Sequence, residues 1–276
     1  MRKSLILIIA LAFFTSFAPH KELKWMAIGD SITFHNGKPE YTKGRLTKGY
    51  MDDVVTELPY IHFANQGHPG WTAKGIAENF DNLKIEKADI YSVFLGTNDW
   101  WVGFPIGTVA DYDNNTGAGT VYGAYRIIID KIRTQNNDAV IILMTPLQRT
   151  DYVDVNNQES IIHGAYKENN DGVKLSDYAD AIKNIAKLQN TKLADLYYKS
   201  GITMKNAVNY KRLKDPATGE YKNYKYPDYI GIPFNPKTDE YPYPPEAMNM
   251  VYDGLHPGDK GHAIIAKMLV KIMKQY

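Results

Sequence analysis

Apolar and polar positions alternate in blocks along most of this chain. Short apolar runs at residues 24–28, 61–64, 90–95 and 139–144 each stop at Gly, Asn or Thr-Pro, and 192–196 is a weaker fifth run. Continuous runs of this length, closed by turn formers, predict strands buried on both faces. Between them the apolar spacing changes to that of a helix. Met51, Val54, Val55 and Leu58 share one face; so do Tyr122, Tyr125, Ile128, Ile129 and Ile132, and again Tyr178, Ala181, Ile182, Ile185 and Leu188. A last helix follows Pro257-Gly258 and carries Ala263, Ile264, Ala266, Met268, Leu269 and Ile272. Pro257 suits its first turn, where a missing N–H has no partner to lose.

Strands alternating with helices predict an α/β protein whose parallel sheet is covered on both faces. Such sheets present ligands at the carboxyl ends of their strands. Ser31 follows the first run, Gly70 the second and Asn98 the third, so the pattern places all three at one edge. One stretch breaks the alternation. Residues 200–252 are rich in Tyr, Pro, Lys and Asn. So long a structureless loop is unusual in a compact domain, and its aromatic content is too high for a disordered linker. It is expected to be an ordered insertion packed beside the site.

The length of 276 residues allows one large domain with a sizeable core. A net charge of +1 supplies neither a basic field for nucleic acid nor an acidic tail. Cysteine is absent, which excludes disulfides, thiolate metal sites, a cysteine nucleophile and an acylated-cysteine anchor. Arg2 and Lys3, an apolar run over 5–14, and Ser16-Phe17-Ala18 have the layout of an export signal. The run falls short of the ~20 residues that a membrane span needs. Residues 1–18 are therefore expected to be a signal peptide, leaving 19–276 as a single secreted or periplasmic domain without a stable membrane anchor.

The candidate chemistry lies in separated motifs. Gly29-Asp30-Ser31-Ile32-Thr33 offers a hydroxyl, Gly96-Thr97-Asn98-Asp99 a side-chain amide, and Asp253-Gly254-Leu255-His256-Pro257 an imidazole with a carboxylate three residues before it. Those are the parts for acyl transfer by a serine. A serine hydroxyl needs a base, and His256 can serve. Asp253 can hold the imidazole in one tautomer, and the short spacing lets both side chains come from one turn. Asp30 and Asp99 suit bracing of their loops. His35 and His163 stand in polar loops without a signal, His68 reads as a loop histidine, and His262 belongs on another face of the last helix. No metal-ligand spacing and no phosphate-binding loop is present.

The ordered set resembles the SGNH hydrolases, or GDSL esterase/lipase family, from Trp25 to the last helix. The resemblance implies a three-layer α/β/α, flavodoxin-like fold with about five parallel strands, no cofactor, and Ser31, Asp253 and His256 as a catalytic triad. It also implies an oxyanion hole made by the backbone N–H of Ser31, the N–H of a glycine in the second block, and Asn98. In Asn65-Gln66-Gly67-His68-Pro69-Gly70-Trp71-Thr72 the family pattern matches Gly70, and Gly67 is the competing candidate.

Trp100, Trp101 and Phe104 directly follow the third block, so they are expected to rim the pocket; Trp71 adjoins Gly70, and Trp71, Trp100 and Trp101 are expected to bind substrate. Aromatic faces with hydroxyl tips suit sugar rings, whereas a lipid substrate would bring a broad aliphatic surface. The expected activity is that of a secreted carbohydrate esterase removing acetyl or similar acyl groups from a polysaccharide. The alternatives are a lipase, lysophospholipase or thioesterase of the same fold, an O-acyltransferase, and a non-catalytic glycan-binding protein.

Overall fold

The computed structural model describes residues 21–276, so the export segment expected over 1–18 lies outside the described residues. In chain order the elements are β1 (Leu23–Gly29), α1 (Ser31–Phe34), α2 (Tyr50–Glu57), β2 (Ile61–Gly67), α3 (Ala73–Asn79), β3 (Ile90–Phe94), α4 (Thr97–Trp101), α5 (Val109–Asp113) and α6 (Val121–Gln135). They continue with β4 (Val140–Met144), β5 (Tyr152–Val153), β6 (Ile161–Ile162), α7 (Leu175–Leu188), β7 (Lys192–Ala194), α8 (Leu196–Lys199), β8 (Lys211–Lys214), β9 (Tyr221–Tyr224) and α9 (Asp259–Met273).

The five short apolar runs form one parallel sheet in the order β2-β1-β3-β4-β7. That is the flavodoxin-like order, with helices on both faces. Side chains alternate between the two layers as the pleat requires. Met26, Ile28, Tyr91, Val93, Ile141 and Leu143 pack with α3, α6 and α7 on one face. Trp25, Ala27, Ile90, Phe94, Ile142 and Met144 pack with α2 and α9 on the other. Trp25 buries its indole on that side by donating from Nε1 to Ser92 Oγ at 2.9 Å. The register sets Gly29 beside both Gly67 and Phe94, so three strands end level and their following loops share one edge.

Two of the differences from the expected boundaries have a local cause. The fifth strand stops at Ala194 because Asp195 caps α8, its carboxylate accepting from Tyr198 N–H at 3.3 Å. Pro257 lies outside the last helix, whose N-cap is Gly258; the chain is still extended at Pro257, which bridges to Val251.

Residues 200–252 are ordered around the antiparallel pair β8–β9. They grip the segment leading into β5. Lys211 Nζ meets Asp151 Oδ2 at 2.6 Å, Tyr241 donates its hydroxyl to the Val153 carbonyl at 2.9 Å, and Tyr243 donates to the Asp151 carbonyl. Among the described residues no helix is long and apolar enough to cross a membrane.

Candidate active site

β1 delivers the chain to the sheet edge and α1 begins at once. Asp30 is the N-cap, its carboxylate accepting from Ile32 N–H at 2.9 Å. Ser31 therefore stands at the first helical position, where its own N–H has no intrahelical acceptor. Burial pushes the Asp30 carboxyl up to about 6 despite that bond.

The partners of Ser31 come from the other end of the chain. Tyr252 N–H donates to the His256 carbonyl at 2.9 Å, closing a tight loop. Gly254 makes it possible: it takes φ +90°, and a Cβ there would lie 1.9 Å from the Asp151 carbonyl oxygen. Inside the loop Asp253 Oδ1 accepts from the N–H groups of Leu255 and His256, at 3.0 and 2.7 Å. That leaves Oδ2 free to meet His256 Nδ1 at 2.7 Å, while Nε2 lies 2.8 Å from Ser31 Oγ. The structure thus joins Ser31, His256 and Asp253 in one hydrogen-bonded chain. Burial by itself pushes the His256 pKa down, but the Asp253 charge and hydrogen bond outweigh it and hold it above the ordinary imidazole value.

Asn98 lies on α4, and its amide donates to the Trp71 carbonyl at 3.0 Å, which ties it to the residue after Gly70. Asp99 braces both loops, accepting from Ala73 N–H at 2.9 Å and Gly96 N–H at 3.0 Å. Its burial raises the carboxyl to about 7. The two candidate glycines differ sharply. Gly67 belongs to β2, and a Cβ there would strike the Phe34 backbone nitrogen at 2.1 Å, so it is a packing glycine. Gly70 sits at φ +77° with open space around it and lines the cavity beside Ser31 and Asn98.

The cavity holds about 360 Å³. Its walls are not those expected from the sequence. Trp71, Trp100, Trp101 and Phe104 are absent from its lining; Phe34, His35, Tyr41, Tyr152, Ile162 and Tyr252 are the main ring and apolar surfaces there, with Asp154 and Asn156 beside them. The correction for Trp100 follows from helix geometry. Two residues beyond Asn98 on α4 means a turn of about 200°, so when Asn98 faces the cavity Trp100 faces the core. It is fully buried and donates from Nε1 to the Val173 carbonyl at 3.0 Å. Trp101 packs instead on the His163 ring, 5.3 Å away, and Trp71 on His68 at 4.8 Å. Phe104 packs against the core, its carbonyl accepting from the Tyr178 hydroxyl at 2.7 Å. Of residues 200–252, only Tyr252 lines the cavity.

His35, which by sequence stands in a polar loop without a signal, is part of the site. Its ring lies 4.8 Å from that of His256. The signal that could have found it is the spacing: Ser31, Phe34 and His35 stand at i, i+3 and i+4, one helix face, but a four-residue helix is too short to announce itself by periodicity. His262 is buried on α9 and serves structure, its Nδ1 accepting from Tyr50 N–H at 3.0 Å. Among the described residues no three His, Asp or Glu side chains are grouped to hold a metal ion.

Residues 27–264 match the model of the GDSL-like lipase/acylhydrolase family. The chain is 49% identical to a possible lipase from Chitinophaga pinensis DSM 2588, with a TM-score of 0.90 over 92% of this chain and 98% of that one. A member of the lipolytic G-D-S-L family from Veillonella parvula DSM 2008 shares the fold at 15% identity, TM-score 0.51, over 92% of this chain and 99% of that one. So does an acetyl xylan esterase, AlAXEase, at 19% identity, TM-score 0.50, over 91% of this chain and 99% of that one. No curated protein sequence matches the chain. The matched model spans both the Ser31 edge and the Asp253–His256 loop, and the chain belongs to the GDSL-like lipase/acylhydrolase family, hydrolases that act on esters.

Proposed function

We propose that this protein is an exported serine esterase that removes short acyl groups, acetyl above all, from carbohydrate. The observation that carries the reading is the unbroken Ser31–His256–Asp253 chain on a cavity that Gly70 and Asn98 also line. Ser31 Oγ attacks the ester carbonyl carbon as its proton passes to His256 Nε2. The carbonyl oxygen becomes an oxyanion held by the N–H groups of Ser31 and Gly70 and the Asn98 amide. When the intermediate collapses, the bond to the alcohol oxygen breaks and His256 returns the proton to that oxygen. Water, deprotonated by His256, then attacks the acyl-serine; the acid leaves and Ser31 regains its proton. Asp253 keeps the imidazole with its hydrogen on Nδ1 and stabilises the charged form.

The carbohydrate half rests on the mixed walls, ring faces of Phe34, Tyr41 and Tyr152 beside the polar Asp154 and Asn156. Export rests on the N-terminal pattern. A lipase reading is favoured by Val155, Ile162 and Leu255 in the lining and by the possible lipase of Chitinophaga pinensis. Two assays decide. Acetate release from acetylated polysaccharides is expected for the wild type and not for Ser31→Ala, with circular dichroism unchanged; release by Ser31→Ala refutes the serine mechanism. In a series of p-nitrophenyl esters the rate should be highest for short acyl groups, and a maximum at eight carbons or more hands the substrate to the lipase reading.

A further inference from the structure

The alcohol half of an ester must sit where His256 can return a proton to it, and the side chains around His256 therefore face the leaving group. Among the described residues three rings surround His256: His35 at 4.8 Å, Tyr152 at 5.4 Å and Tyr252 at 5.8 Å. His35 is held from both ends. Its ring stacks on Tyr41 at 6.4 Å, and its Nδ1 lies 3.3 Å from the Tyr252 hydroxyl. Tyr252 is buried, and a buried hydroxyl proton requires an acceptor. His35 Nδ1 is the acceptor at hand among the described residues, so Tyr252 donates and the His35 proton resides on Nε2. Burial, reinforced by the positive charge of His256 whenever that ring is protonated, lowers the His35 pKa to about 4 and keeps the His35 ring neutral near neutral pH. The result is a cavity-lining, uncharged N–H donor beside the base, with its partner groups already in place.

We propose that His35 determines specificity on the alcohol side: its Nε2–H donates to a hydroxyl next to the esterified oxygen, selecting esters of polyols, sugars among them, over esters of simple alcohols. The inference rests on the esterase reading and goes beyond it in naming the residue that recognises the alcohol and the feature it recognises.

The test compares glycerol 1-acetate with propyl acetate, the same three-carbon skeleton with and without neighbouring hydroxyls, by acid release at pH 7.5. The wild-type protein is expected to favour the glycerol ester in kcat/KM by roughly 3- to 10-fold, the worth of one uncharged hydrogen bond. In His35→Phe, which keeps a ring against Tyr41, that ratio falls towards one. In His35→Gln, whose side-chain amide can place a donor near the position of Nε2, most of it returns. A wild-type ratio near one overturns the inference and leaves the esterase reading standing. So does a ratio unchanged in His35→Phe, or one that falls equally in His35→Gln. If the wild type hydrolyses neither ester, nor p-nitrophenyl acetate, the esterase reading fails and this inference with it.

Discussion

Asp253→Asn separates the two jobs of one carboxylate. Its Oδ1 fastens the loop by accepting from Leu255 and His256 N–H at 3.0 and 2.7 Å, and an asparagine carbonyl can keep both bonds. Its Oδ2 stands 2.7 Å from His256 Nδ1. An NH₂ group there would face the Nδ1 hydrogen donor to donor, so the imidazole moves its hydrogen to Nε2. That hydrogen then points at Ser31 Oγ, 2.8 Å away, and the ring can no longer accept the serine proton. A base held in the wrong tautomer costs about 10⁴-fold in kcat, about 5.5 kcal/mol of barrier. The same change alters the pH profile. In the wild type the Asp253 charge outweighs burial and raises the His256 pKa, and catalysis needs the neutral ring. The rate should therefore fall as pH drops, with a midpoint above about 6.5. Stability runs the other way for this group: a raised folded-state pKa stabilises the protein below the unfolded value, and that gain is lost as pH rises through the folded one. In Asp253→Asn only the smaller effect of the Asp30 charge still opposes burial, and the acid limb moves to lower pH. The assay is kcat for p-nitrophenyl acetate from pH 5 to 9, with thermal melting as the fold control. A folded variant that keeps a tenth or more of wild-type kcat, or whose acid midpoint stays in place or rises, refutes the reasoning.

Gly67→Ala and Gly70→Ala should part company in thermal melting. The first drives a Cβ to 2.1 Å from the Phe34 nitrogen and should cost about 1–3 kcal/mol or more, lowering Tm by several degrees. The second has open space and bears only its φ of +77°, about 1–2 kcal/mol; a larger loss for Gly70→Ala would contradict the assignment of Gly67 to packing. His262→Ala leaves the buried Tyr50 N–H without an acceptor, which should cost about 1–3 kcal/mol at pH 7. Burial depresses the His262 pKa to about 3, so folding excludes a proton that the unfolded chain takes up below about 6.5, and wild-type stability falls with pH in that window. The Tm gap between wild type and His262→Ala should narrow from pH 7 to pH 4.5, and a widening gap would refute the role.

The fold and the reactive groups were legible for a physical reason. Strands buried on both faces carry few polar side chains, so β1, β3 and β4 stand out as apolar runs, and where each run stops the sheet edge begins. Ser31 and Asn98 are local motifs at such places, the Asp253–His256 turn is a local motif just before the last helix, and their order along the chain marks the family. Residue spacing cannot say which way a short helix turns its side chains or which distant segment leans on a loop. α1 and α4 are four and five residues long, so the face that brings His35 to the cavity and the one that sends Trp100 into the core have no periodic trace. The walls depend on contacts across the chain. Thr150 and Val153 N–H bond to the carbonyls of Gly254 and Asp253 at 3.0 and 3.1 Å, which sets Tyr152 beside His256 and Asp154 in the cavity wall. The reactive groups follow from local sequence because each of them sits in its own short motif. The pocket that selects the substrate follows from tertiary packing, because its sides are built from segments that meet only when the chain is folded.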